Sequence, residues 1–230
     1  MKPVHQTLIF DADDTLWENN IRFERVVDEF VQWMAHPTLD NAAIRQILAD
    51  IQAANAVTHG YGSRMFIHSL GECFERIHER GTSDEERQHI ASLTSALADG
   101  HVELIPGVAA TLGELGVRHD LVLLTKGHLE DQQRKLDVSG LAHHFSSIHI
   151  VAEKDARVYR ELANELSLDV ESTWMIGNSP KSDILPAREA GMNAVFIPND
   201  NTWVLEQTDL DDQDARILTL ERFPDLLDHF

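Results

Sequence analysis

Thr7-Leu8-Ile9-Phe10-Asp11-Ala12-Asp13-Asp14-Thr15-Leu16 carries a short apolar run that ends in two carboxylates two residues apart. The run reads as a buried strand, so Asp11 and Asp13 leave its end together. Like charges held this close are costly and need a compensating cation. In an α/β sheet the carboxyl end of a strand is also where ligands bind. The pairing points to a metal-assisted site with one carboxylate as nucleophile and its neighbour as acid/base.

Beyond Leu16 the pattern turns helical. Phe23, Val26, Val27, Phe30, Val31 and Met34 recur at helical spacing, and Ile44, Ile47, Leu48 and Ile51 mark a second helix. A third follows Gly62, with Met65, Phe66, Leu70, Cys73, Phe74 and Ile77 on its stripe and Gly81 at its end. Ser83 opens a fourth, with Glu86 completing a capping box. From Leu104 strands and helices alternate. Pro106-Gly107 leads a helix to Gly116, and Asp120–Leu124, Ile148–Ala152, Thr173–Ile176 and Ala194–Ile197 read as strands. Helices at Leu129–Leu136, Ala156–Leu166 and residues 184–190 separate them. This order predicts an α/β fold: a doubly wound, Rossmann-like parallel sheet core with an inserted all-helical cap. The core comprises residues 1–16 and 104–230, and the cap residues 17–103. Trp17 reads as core packing and the acidic stretch Asp209–Asp214 as a solvated loop.

With 230 residues, 43% of them hydrophobic, the chain is long enough for one well-buried core and a second, smaller element. A formal charge of −20 repels polyanions and argues against nucleic acid as the main partner. A small anionic substrate is compatible with that charge, because a metal and a few cations reverse the potential at one site. Cys73 is the single cysteine, which excludes an internal disulfide and a Cys-rich zinc site. The 13 histidines show no ligand spacing such as HExxH. No apolar run is long enough to suggest a membrane span or a leader, so a cytoplasmic location without membrane partners is expected.

Four motifs fall at the carboxyl ends of predicted strands. The first is Asp11-x-Asp13-x-Thr15-Leu16. The second, Thr125-Lys126-Gly127, offers a hydroxyl and loop amides suited to an anion. The third is Lys154, a point charge able to pair with phosphate and with the carboxylates. The fourth, Gly177-Asn178-Ser179-Pro180-Lys181-Ser182-Asp183, places oxygen ligands five residues apart across a turn. Hard oxygen donors without thiolate or imidazole suit Mg²⁺.

With these motifs in this order, the sequence resembles the haloacid dehalogenase-like hydrolase superfamily, in the branch with a helical cap inserted after the first motif. The resemblance covers essentially the whole chain, including the Pro106-Gly107 return to the core. It implies that Asp11 attacks phosphorus to form an aspartyl-phosphate, and that Asp13 protonates the leaving alkoxide and then activates water. It implies phosphate contacts from Thr125 and Lys154, and a Mg²⁺ site formed by Asp11, the backbone carbonyl of Asp13, Asn178 and Asp183. Asn178 is a departure, since most relatives carry aspartate there, and an amide oxygen in that place should hold Mg²⁺ less tightly. Lys126 is a second, standing where relatives often have asparagine; it adds a charge contact to phosphate or is a solvated lysine.

The expected function is therefore Mg²⁺-dependent hydrolysis of a small-molecule phosphate monoester, with the cap closing over a phosphorylated metabolite. A phosphomutase of the same family, or a weakly active or non-catalytic phosphate-binding relative, are the alternatives. A dehalogenase is disfavoured because that chemistry dispenses with the second aspartate, which is present here as Asp13. A phospho-acceptor receiver domain also combines paired Asp, Thr and Lys on a parallel sheet, but is far shorter and lacks a helical insert.

Overall fold

A computed structural model describes residues 5–98, 101–211 and 213–230 of the protein. In chain order its strands and helices are β1 (Thr7–Phe10), β2 (Trp17–Glu18), α1 (Asn20–Met34), α2 (Asn41–His59), α3 (Ser63–His78), α4 (Asp84–Thr94), β3 (Glu103–Leu104) and α5 (Val108–Leu115). There follow β4 (Asp120–Lys126), α6 (Leu129–Ser139), β5 (Ser147–Val151), α7 (Ala156–Glu165), β6 (Thr173–Gly177), α8 (Leu185–Glu189), β7 (Asn193–Phe196) and β8 (Ile217–Thr219). They divide into two compact units, Met1–Asn20 with His101–Phe230, and Ile21–Gly100.

The first unit is built on a six-stranded sheet of order β5-β4-β1-β6-β7-β8, parallel throughout. Strand side chains alternate between faces, and the two faces are closed by different helices. Leu8, Phe10, Leu121, Leu123 and Ile176 pack with Leu112 and Leu115 of α5, Leu136 of α6, and Phe223 and Leu226 near the C-terminus. Ile9, Val122, Leu124 and Met175 pack with Tyr159 and Leu162 of α7 and Ala187 of α8. Burying each such Leu or Ile contributes about 2 kcal/mol. A sheet covered on both faces explains the nearly continuous apolar runs in β1 and β4. It also leaves the carboxyl ends of its strands as the place where polar groups gather.

Two features of this unit are not announced by periodicity. Residues of β2 and β3 pair antiparallel, Trp17 with Leu104 and Glu18 with Glu103, in a ribbon too short to carry an alternation signal. Strand β8 has three residues and extends the sheet beyond the four strands expected after Leu104. Of the acidic stretch before it, Asp212 lies outside the described residues, residues 209–211, 213 and 214 belong to no helix or strand, and Asp214 is not merely solvated: Arg188 Nε donates to it at 2.8 Å. Gly107 has φ +86°, and a Cβ there would lie 2.5 Å from Pro224 Cγ, so the turn into α5 requires glycine.

The helical unit packs Val27, Phe30, Ile44, Leu48, Phe66, Leu70, Cys73, Phe74 and Ile90 into a core of its own. Asp40 caps α2 by accepting the Ala43 amide at 2.8 Å. Ser83 and Glu86 form the expected box at α4. Burial pushes the Cys73 thiol up to about 12, so it stays protonated and unreactive. Among the described residues no helix is long and apolar enough to cross a membrane.

Candidate active site

Strand β1 lies between β4 and β6, and its last apolar residues pass directly into the first motif. The Asp11 amide still donates to the Ile176 carbonyl of β6 at 2.9 Å, so the sheet ladder holds this residue's backbone. Lys154, just beyond β5, donates from Nζ to Asp11 Oδ1 at 2.5 Å and to Asp183 Oδ1 at 2.7 Å. Asp183 Oδ2 accepts the Ser179 amide at 2.9 Å. That approach depends on Gly177, where a Cβ would stand 2.2 Å from Asp183 Oδ2. Asp183 itself sits on a wide helical turn, Pro180–Ile184, which opens with the Ser179 hydroxyl accepting the Ser182 amide at 2.9 Å. Asp11, Lys154, Asn178 and Asp183 are all more than nine-tenths buried.

On its other oxygen Asp11 meets Thr15. The Thr15 hydroxyl lies 3.0 Å from Asp11 Oδ2 and 3.1 Å from Asn178 Oδ1. The Asn178 amide nitrogen donates to Thr202 Oγ1 at 2.9 Å, which leaves its oxygen facing Thr15. Three oxygens thus converge with one hydroxyl proton among them.

The charge balance is equally uneven. Burial pushes the Asp11 carboxyl up to about 7, the Asp183 charge adds to the rise, and Lys154 opposes it. Burial works against the Lys154 charge, but Asp11 and Asp183 outweigh it and hold that ammonium above its ordinary value. Lys154 therefore remains a cation, shared by the two carboxyl groups. Among the described residues no three side chains drawn from His, Cys, Asp and Glu form a metal-holding group. The donor set here is instead two carboxyl groups, an amide oxygen and a hydroxyl, and such an all-oxygen set fits a hard divalent cation like Mg²⁺.

Asp13 has a different environment from Asp11. It is partly exposed, and Lys135 Nζ of α6 donates to both of its oxygens at 2.8 Å. Trp17 Nε1 donates to Oδ1 at 2.7 Å and Gln132 Nε2 to Oδ2 at 3.2 Å. Gln132 Nε2 also donates to Thr125 Oγ1 at 2.6 Å, joining the second motif to the first. Trp17 is buried in the core as its sequence position suggests, and its indole nitrogen also serves the site.

Lys126 is engaged elsewhere. Its Nζ lies 2.7 Å from Glu206 Oε1, 3.2 Å from Glu153 Oε1 and 2.9 Å from Ser182 Oγ. Glu206 in turn accepts the hydroxyls of Ser179 and Ser182. Burial raises its carboxyl, but Lys126 and the two hydroxyls outweigh that and keep it below the usual range. Asp14, with φ +62°, accepts the Asn19 and Asn20 amides at 2.8 and 2.9 Å and so tethers the start of α1. Burial pushes Asp14 up to about 7 against the pull of those amides.

Sequence reasoning did not single out Gln132, Lys135, Glu206 or Tyr159, whose hydroxyl donates to the Ser182 carbonyl at 2.9 Å. Gln132 and Lys135 are three apart on one helix and share a face, but nothing in their spacing says that this face meets Asp13.

The sequence model of a family described as haloacid dehalogenase-like hydrolase matches residues 5–191. A phosphoserine phosphatase from Thermus thermophilus is 36% identical over 100 residues. That stretch spans 41% of this chain and 40% of the relative. A haloacid dehalogenase-like family hydrolase from Xanthomonas campestris superposes with a TM-score of 0.83 at 26% identity, covering 98% of this chain and 95% of its own. A magnesium-bound putative hydrolase of the same type from Bacillus subtilis superposes with a TM-score of 0.68 at 16% identity, covering 98% and 97%. Dehalogenases share the fold at 15–19% identity.

Proposed function

This chain belongs to the haloacid dehalogenase-like hydrolases, and from that membership we propose that it hydrolyses a small-molecule phosphate monoester with Asp11 as nucleophile. The observation that carries this reading is the unequal treatment of two neighbouring carboxylates. Asp11 is buried and bound by Lys154, whereas Asp13 is partly exposed and bound by donors from α6 and Trp17. Paired carboxyls in distinct environments are how a single site divides nucleophile from acid/base. A dehalogenase has no use for the second carboxylate. The name of the Thermus relative, a phosphoserine phosphatase, supports a phosphate ester as the substrate.

In the proposed reaction Asp11 attacks phosphorus and the ester oxygen departs with a proton from Asp13. Water then gives a proton back to Asp13 and attacks the aspartyl-phosphate, releasing phosphate and restoring Asp11. Lys154 neutralises charge on Asp11 and on the phosphoryl oxygens, and Thr125 donates to one of those oxygens. Asp11, the Asp13 carbonyl, Asn178 and Asp183 would hold Mg²⁺, which when bound supplies positive charge to the transferring phosphoryl group. Lys126, held by Glu206, also donates to Ser182 Oγ and is available to phosphate only by leaving that carboxylate.

Asp11→Asn tests the reading. Assayed with Mg²⁺ against phosphate monoesters and 2-haloacids, the wild-type protein should release phosphate and no halide, and the variant should lose at least about 10⁴-fold in kcat. Phosphate release retained by the variant, or halide release by the wild type, would sink it.

A further inference from the structure

Helix α6 carries the support for the acid/base step. Lys135 Nζ has three protons and three acceptors within 2.8 Å: Asp13 Oδ1, Asp13 Oδ2 and Asn19 Oδ1. Its hydrogen-bonding capacity is fully committed, so it does not serve as a substrate-binding cation in this arrangement. Asp13 for its part receives four donors, two on each oxygen: Lys135 and Trp17 on Oδ1, Lys135 and Gln132 on Oδ2. A carboxylate offers about four acceptor positions, and all are occupied. Any proton exchange with an alcohol or water requires one of these bonds to give way. The weakest by length is that from Gln132, at 3.2 Å, against 2.7–2.8 Å for the others.

The two oxygens are therefore not equivalent. Oδ1 is anchored to an indole that is itself locked in the core, with Trp17 1% exposed. Oδ2 faces Gln132, whose amide nitrogen also reaches Thr125 Oγ1 at 2.6 Å. Gln132 Nε2 is the donor to both Oδ2 and Thr125 Oγ1, so its NH₂ end faces both, the sense that suits Asp13 once its proton has gone to the leaving group. Thr125 then accepts from Gln132, and its own hydrogen is left to point at another acceptor. Gln132 is 3% exposed, and Gly127 lets it lie close, since a Cβ there would stand 3.1 Å from Gln132 Cγ.

We propose that Lys135 and Gln132 are positioning residues of the reaction assigned above: Lys135 holds the Asp13 carboxylate so that Oδ2 handles the proton, and Gln132 yields that oxygen while keeping the Thr125 hydroxyl aimed at the phosphoryl group. This rests on the phosphatase reading, and the experiment separates the two. Steady-state and burst kinetics are measured for the wild type, Lys135→Met, Lys135→Arg and Gln132→Met on an alkyl phosphate and on p-nitrophenyl phosphate, whose leaving group needs no proton. Misplacing a catalytic group by about 1 Å costs up to roughly 100-fold. For Lys135→Met we expect kcat on the alkyl ester to fall roughly 10- to 100-fold with KM within about threefold, and Lys135→Arg to recover most of it. On p-nitrophenyl phosphate the same variant should show a burst of nitrophenolate, because only hydrolysis of the aspartyl-phosphate is slowed. Gln132→Met should lower kcat on both esters and raise KM, and it serves if Lys135→Met fails to fold. Equal losses on the two esters without a burst, a raised KM as the main effect of Lys135→Met, or unchanged kinetics overturns the inference. A wild-type protein inactive on every ester overturns the phosphatase reading instead.

Discussion

The helical unit and the α/β unit bury different chemistry. Among the described residues of Ile21–Gly100, the buried polar side chains are Gln52, Asn55, Ser69 and Thr94, all neutral, and Asn55 finds Ser69 Oγ at 3.1 Å. The α/β unit buries Asp11, Asp14, Lys154 and Asp183, which follow the carboxyl ends of the parallel strands β1, β5 and β6. Burying charge is expensive unless each ion is paired and hydrogen-bonded, and such groups persist where chemistry needs them. One unit is thus an apolar core with ordinary caps. The other concentrates buried ionisable groups beside an apolar sheet.

Removing one cation from each unit gives the sharpest test of that contrast. Lys154→Met strands two buried carboxylates and should cost about 3–5 kcal/mol in urea denaturation. Arg45→Met, which breaks the exposed pairs with Glu24 and Asp28, should cost no more than about 1 kcal/mol. Equal losses would erase the distinction.

Asp14 tests it through pH. Its carboxyl stands near 7 in the folded state against an ordinary value of 3.8, so between those pH values the native protein binds the proton more tightly than the unfolded chain. Its contribution to stability is present at low pH and is lost as pH rises through about 7. Asp14→Asn keeps an acceptor for the two amides and removes that loss. The stability of the variant relative to wild type should therefore increase by on the order of 2–4 kcal/mol from pH 4 to pH 8. A difference that does not change with pH would show that the proton is not bound there.

Metal affinity offers a smaller effect. Asn178→Asp adds a negative charge next to Asp11 and should lower the Mg²⁺ concentration for half-maximal activity roughly tenfold, equivalent to about 1.4 kcal/mol. An unchanged Mg²⁺ titration would remove Asn178 from the ligand set. The smallest change belongs to the helical unit: Ser83→Ala deletes one cap of α4 and should cost about 1 kcal/mol, with kinetics unaffected. A loss of activity would mean that the cap does more than hold its helix.

Much of the architecture of both units was readable because its signals are local. The strand at Thr7–Phe10, the helix from Val108 and the Ser83–Glu86 box follow from residue spacing within a few positions. The convergence of Asp11, Lys154, Asn178 and Asp183 was readable for a further reason, since parallel strands all deliver their carboxyl ends to one edge. Strand β8 and the β2–β3 ribbon were not, because two or three residues carry no period. Nor was the partner of Lys126, Glu206, which lies 80 residues away on a short turn of its own. Asp13 is the clearest case. An acid/base role was expected of it from its place beside Asp11, but its ion pair with Lys135, 122 residues further on, was invisible.

Periodicity and turn chemistry along the chain determined which segments become strands and helices, and hence that the four motifs share one edge of the sheet. Which cation serves which carboxylate was decided only in the tertiary structure. Ion pairs form by distance, and distance here depends on the strand order β5-β4-β1-β6 and on how α6 is turned about its axis. That packing places Lys154 between Asp11 and Asp183, commits Lys126 to Glu206, and aims Lys135 at Asp13.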